Sequence, residues 1–194
     1  MSSSASPAVP YKVSWTQGTC PAGSTYNLAV TNGGSSTVTH TGALSATIDL
    51  LVGPSYTIAV DCGHGDNSTT NLTSAGFQEN AASYTGTWHS TSFAGAWGGT
   101  ARYSTAASAS ATFHCSSCQA LAWVTDEDSA HGSAKVYIDG VLKATINTRS
   151  SSTLNRVIAY KFEWASDGAH TLKIVNVATS GHPRTTVDGF LARS

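Results

Sequence analysis

Residues 134–146 read Ala134-Lys-Val-Tyr-Ile138-Asp139-Gly140-Val141-Leu-Lys-Ala-Thr-Ile146, two alternating apolar and polar runs joined by Asp-Gly. A type I′ turn needs positive φ at both central residues, which Asp-Gly tolerates, so the stretch is expected to form a β-hairpin. The same period of two recurs on either side. Upstream lie Tyr11–Trp15, Tyr26–Val30, Thr37–His40, Ala46–Leu50 and Tyr56–Val60, and around the hairpin lie Ala109–Phe113, Gln119–Val124, Val157–Phe162 and His170–Val175. No window carries a helical repeat. Short strands at intervals of about ten residues, bounded by Gly, Pro, Asn or Ser, indicate an all-β chain of antiparallel sandwiches.

The chain has 194 residues, enough for one large or two small domains. Charged residues are only 11% of it, while 28 Ser and 26 Thr keep its surface wet. That composition suits a protein working outside the cytoplasm. A net charge of −1 gives no long-range pull on a phosphate backbone, so nucleic-acid binding is excluded as an expectation. No run reaches the roughly 18 apolar residues of a membrane span, and MSSSASPAVP lacks the basic and apolar parts of a signal peptide. Residues 1–10 read as a tail or linker. A polar stretch, Asp61 to Asn71, and a short connection around Ala75-Gly76 place a domain boundary near residue 76, dividing 11–76 from 77–194.

Residues 11–73 resemble a fibronectin type III domain through Val13-Ser-Trp15-Thr, Tyr26-Asn-Leu-Ala-Val30 and Leu51-Val-Gly-Pro-Ser-Tyr56 ahead of Ile58-Ala-Val60. In such sandwiches Tyr56 is the corner tyrosine whose hydroxyl ties back just upstream. The match is short, so a first strand comes from residues 1–10 or is missing. Residues 84–190 resemble a jelly-roll module of secreted bacterial and phage proteins, usually grouped with carbohydrate-binding modules. That resemblance rests on Tyr84-Thr-Gly-Thr-Trp88, Gly98-Gly-Thr-Ala-Arg102-Tyr-Ser104, Val136-Tyr-Ile-Asp-Gly-Val141, Asp167-Gly-Ala-His170-Thr-Leu172 and Val187-Asp-Gly-Phe190. The expected fold is therefore two tandem antiparallel β-sandwiches, fibronectin type III-like and then jelly roll. The resemblance implies a non-catalytic, sugar-binding or adhesive domain.

In a fibronectin-like sandwich Cys20 and Cys62 fall at one pole and are expected to be bridged. Cys115-Ser-Ser-Cys118 sits where a tight turn is expected, and a disulfide staple is the first reading. Zinc, a redox pair and free thiols are the alternatives. No hydrolase motif, phosphate loop or pair of cleft carboxylates is present, so no catalytic residue is expected. Sugars stack on exposed aromatic rings. Trp97, in Gly95-Ala-Trp97-Gly-Gly99, is the best candidate platform, with a plug on a sheet edge as the equal alternative. Arg102, Asp126 and His131 are candidates to flank it, and Trp15 and Trp123 are read as core. Asp126-Glu127-Asp128 reads as a solvated turn and the seven histidines as surface or loop residues. Glu79 and Asp188, near the first and last jelly-roll strands, could hold a structural calcium ion. The expected partners are polysaccharide or a cell-surface glycan, with a phage particle's capsid or tail proteins as the second reading, at an extracellular or virion surface.

Overall fold

Asp139 and Gly140 take φ of 49° and 79°, the left-handed pair that the hairpin demands. The strands they join, β11 (Ser133–Ile138) and β12 (Val141–Asn147), pair antiparallel with Ile138 opposite Val141. The structure is a computed structural model describing residues 8–32, 34–51, 55–63 and 68–194. It is all-β and antiparallel, and the described chain divides into two compact units, Ala8–Ala75 and Gly76–Ser194. Among the described residues, no helix is long and apolar enough to cross a membrane.

In the first unit, β1 (Ala8–Ser14) pairs with β4 (Ser45–Leu51). The other strands, β2 (Tyr26–Asn32), β3 (Ser35–Thr41), β5 (Ser55–Asp61) and β6 (Ser68–Gln78), stand in the order β3-β2-β5-β6. Alternate residues Tyr26 and Leu28, with Tyr56, Ile58, Val60, Leu50 and Leu72, make the core. Tyr56 Oη accepts the Leu51 N–H at 2.7 Å, tying the ring back to the chain just upstream. Cys20 and Cys62 are bridged across 42 residues. Trp15 lies just beyond β1, half-buried, edge-on to Tyr26 at 5.8 Å.

Several boundaries shift. The first strand begins at Ala8, inside the stretch read as a tail, because residues 8–10 find partners in Asp49, Leu50 and Leu51. Residues 1–7 of that tail, and residues 52–54 of the fibronectin match, lie outside the described residues. The polar connection is also shorter than expected. Ser68–Thr73 pairs with β5, since Ser and Thr suit a half-exposed ladder, and β6 runs through Ala75-Gly76 without a break.

In the second unit, short β7 (Ser83–Thr85), β8 (His89–Ser92) and β9 (Thr100–Ser104) precede a strand of 18 residues, β10 (Ser110–Glu127). After the hairpin come β13 (Leu154–Asn176), β14 (Thr185–Val187) and β15 (Gly189–Arg193). The order is β12-β11-β13-β10-β15, with β7 beside the start of β10 and a separate β14-β9-β8 sheet. Bulges let β10 and β13 bend while staying paired, so β11 meets residues 172–176 and β15 meets residues 120–124. Trp123 is fully buried as expected, in a core with Leu121, Val136, Ile138, Leu172 and Ile174, where Phe113 stacks on Phe190 at 4.7 Å.

The turn expected at Cys115–Cys118 does not exist. Both cysteines lie within β10, opposite His170 and Gly168 across a register shift, and both are free thiols. The staple is thus corrected: an extended, bulged strand replaces the hairpin whose ends it was to join. Burial, reinforced by a hydrogen bond with Cys115, pushes the Cys118 thiol well above its ordinary range.

Replacing both Cys20 and Cys62 by Ser should lower the stability of the first unit by about 4 kcal/mol in urea unfolding, the chain-entropy estimate for a loop of this length. Digestion without reductant should return a Cys20–Cys62 peptide, and native alkylation should label half-buried Cys115 before buried Cys118. A Cys115–Cys118 bridge in that digest would refute the thiol assignment.

Candidate functional site

Asp188 separates β14 from β15 and has no exposed surface. Its two carboxylate oxygens accept the Trp97 N–H at 2.9 and 3.1 Å. The next residue, Gly189, makes room for the indole: a Cβ there would stand 2.8 Å from Trp97 Cε3 and 2.6 Å from the Phe77 carbonyl. Trp97, in the 3₁₀ turn Trp97–Gly99, is therefore half-buried against β15. The glycine-rich loop offers little apolar cover, as expected, but the indole takes its cover from the strand.

Burial, with the nearby Asp126 and Glu79, raises the Asp188 carboxyl to about 7 against the opposing Trp97 N–H and Arg156. Glu79 is buried, and its Oε1 accepts the Thr100 hydroxyl at 3.0 Å while Oε2 has no hydrogen-bond partner. Its carbonyl accepts the Tyr84 hydroxyl at 2.6 Å, and Arg102 lies over the Tyr84 ring at 4.6 Å. Arg102 is thereby engaged with Tyr84.

Asp126 and His131 are brought together, but below the surface. Asp126 ends up in β10 and is buried, so the solvated-turn reading of 126–128 is corrected: the strand carries this carboxylate inward, near Asp188. His131 is completely buried, contrary to the surface reading of the histidines. Its Nδ1 lies 2.7 Å from Asp128 Oδ1, and its Nε2 lies 2.8 Å from Thr186 Oγ1 and 3.5 Å from Asp126 Oδ2. Asp126 Oδ1 has no hydrogen-bond partner. Burial alone would raise Asp128, but hydrogen bonds from His131 and the Ala130 N–H, with His131 and Arg184 nearby, hold it below the usual carboxylate range. Among the described residues, Asp126, Asp128 and His131 form the one set of three whose metal-ligating atoms lie within 4.8 Å of one another. The Glu79 and Asp188 pair does not belong to it.

The connections around this cluster are tied to one another by side chains. Asn176, buried at the end of β13, donates from Nδ2 to the carbonyls of Ser104, Ala106 and Pro183 and accepts from Ala178 N–H and the Thr185 hydroxyl. One amide thus ties the connection after β9 to the connection between β13 and β14. The Asp128 carbonyl accepts the Ser150 N–H, tying residues 128–131 to the loop after β12. Between those segments Ser129, Asn147, Arg149, Ser150 and Ser151 wall an open depression of about 580 Å³. Four neutral hydrogen-bonding side chains and one guanidinium can bind hydroxyl-rich or carboxylated molecules. Sequence reading missed these residues. Their signal was an Asn-Thr-Arg-Ser-Ser-Ser run directly after a hairpin strand, which a solvated loop shares.

No family model matches the chain. It is 32% identical over 104 residues to a Flavonifractor plautii protein described as an A type blood alpha-D-galactosamine galactosaminidase, covering 54% of this chain and 10% of that one. It is 33% identical over 95 residues to the same organism's A type blood N-acetyl-alpha-D-galactosamine deacetylase, covering 49% and 12%. The chain spans about a tenth of the length of these relatives. Among solved structures, the CBM36-1 domain of a multidomain xylanase from the Trinervitermes trinervoides hindgut metagenome matches with a TM-score of 0.43 and 14% identity, covering 61% of this chain and 94% of that one. A CBM36 carbohydrate-binding module in complex with calcium and xylotriose gives 0.40 and 13%, covering 63% and 99%.

The Asp188 shift has a definite sign. A carboxyl that holds its proton more tightly folded than unfolded contributes its full stability below about pH 4 and loses it as pH rises through about 7. In metal-free buffer the wild type, measured against Asp188→Asn, should lose on the order of 2–4 kcal/mol across that window in urea titrations. A flat difference would remove the buried acid from the argument. Trp97→Ala, which uncovers Gly189, should destabilise the second unit by about 2–4 kcal/mol, somewhat under the figure for a fully buried aromatic, read as a fall in melting temperature.

Proposed function

We propose that the chain is a non-catalytic, extracellular glycan-binding module carried by a larger carbohydrate-active protein. The observation that carries this reading is the open, hydroxyl- and amide-lined depression at the loop pole of the second unit. Ser129, Asn147, Arg149, Ser150 and Ser151 supply the fixed donors and acceptors that read sugar hydroxyls, and a rigid floor of Asn176, Asp128 and His131 keeps them in place. The two Flavonifractor relatives support an accessory place beside glycan-processing activity, and they favour it over a virion component. Their names make glycans ending in α-linked N-acetylgalactosamine or galactosamine the first ligands to try.

Retention on a glycan array should be specific and saturable, with no turnover of the bound sugar. Arg149→Ala should weaken it about tenfold, the loss of one charge-assisted hydrogen bond worth roughly 1.5 kcal/mol. The melting temperature should not move, because Arg149 is exposed. Binding untouched by Arg149→Ala and Asn147→Ala together would place the ligand elsewhere.

A further inference from the structure

His131 Nδ1 faces Asp128 Oδ1 at 2.7 Å. A carboxylate that accepts the Nδ1 hydrogen fixes the ring and turns the Nε2 lone pair the other way, the outer-shell arrangement seen at metal-bound histidines. On that other side stands Asp126 Oδ2 at 3.5 Å. This separation is long for a hydrogen bond. It is close to the edge of a zinc tetrahedron, about 3.3 Å for ligand bonds of about 2.0 to 2.1 Å. Asp126 is 5% exposed, and its second oxygen has no hydrogen-bond partner. A buried carboxylate oxygen in that condition needs a donor or a cation to face it.

We propose that His131 Nε2 and Asp126 bind a first-row divalent cation of the zinc type, with Asp128 as the positioning residue that holds the imidazole. Nothing in the glycan reading requires this site. The Thr186 hydroxyl, 2.8 Å from Nε2, occupies the histidine lone pair until the ion enters. An imidazole with carboxylate oxygens selects zinc, cobalt or nickel over calcium, whose ligands are oxygens alone. A bound ion would join the end of β10 to the loop carrying His131 and so stiffen the wall of the depression from beneath.

The test is titration of the purified, chelator-treated chain with Zn²⁺, with Co²⁺ as a spectroscopic stand-in. One ion per chain is expected, with a visible absorption from bound cobalt and a melting temperature that rises with zinc concentration. Asp126→Asn keeps the side-chain shape and should weaken zinc binding at least tenfold. Asp128→Asn should weaken it 10- to 100-fold, the range for an outer-shell partner. His131→Ala opens a cavity, so if it fails to fold the two isosteric variants, checked by circular dichroism, carry the test. No zinc binding to the folded wild type, or zinc binding unchanged in folded Asp126→Asn, overturns the proposal. A response to Ca²⁺ alone also overturns it and would point to the Glu79 and Asp188 carboxylates. Loss of zinc binding with glycan retention intact leaves the glycan reading standing.

Discussion

A carboxylate with no solvent exposure is the constraint around which the second unit is arranged. Asp188 follows β14 and precedes β15, and its own N–H is spent on the Val124 carbonyl. It therefore keeps its charge off only by holding a proton, or balances it by collecting donors. The donor it collects is the Trp97 N–H, which draws a loop 91 residues away in sequence onto β15. Once that loop is in place, the indole has a flat glycine to lie on, and Thr100 is delivered to Glu79. Backbone order, aromatic packing and the acid cluster are consequences of one buried group.

The class of fold could be read because period-two alternation and Asp-Gly are local signals, each decided by a few adjacent residues. The joining of strands could not. Ala109–Phe113 and Gln119–Val124 look like two strands around a turn, and Val157–Phe162 and His170–Val175 do too, yet each pair is one strand. A bulge is stabilised by its partner strand, and Cys115 to Cys118 only reads as a bulge once His170 and Gly168 lie opposite. The thiol pair was assigned to the wrong chemistry for the same reason.

The candidate site was legible as a set of residues and illegible as a geometry. Glu79, Asp126, His131 and Asp188 were each singled out, and Asp126 and Glu79 both help to raise the Asp188 carboxyl. What joins them is the antiparallel pairing of Val124 with Gly189, which sets the residues flanking those two positions side by side across 62 residues of sequence. Trp97 was weighed by the poverty of its own neighbours along the chain. Its partner is the absence of a side chain at Gly189, a feature that reveals itself only in three dimensions.

Ser and Thr dominate this surface, and that choice bears on the kind of recognition it supports. Hydroxyls and amides exchange hydrogen bonds with water and with sugars at similar energies, so each contact contributes little net affinity. Such a rim discriminates by position, which demands a floor that does not yield. Asn176, with its amide hydrogen-bonded at both ends, and His131, bound through both ring nitrogens, are side chains of that unyielding kind. Weak single-site binding on a rigid frame is effective when the module is tethered beside many copies of its ligand, because attachment raises the local concentration without any new contact.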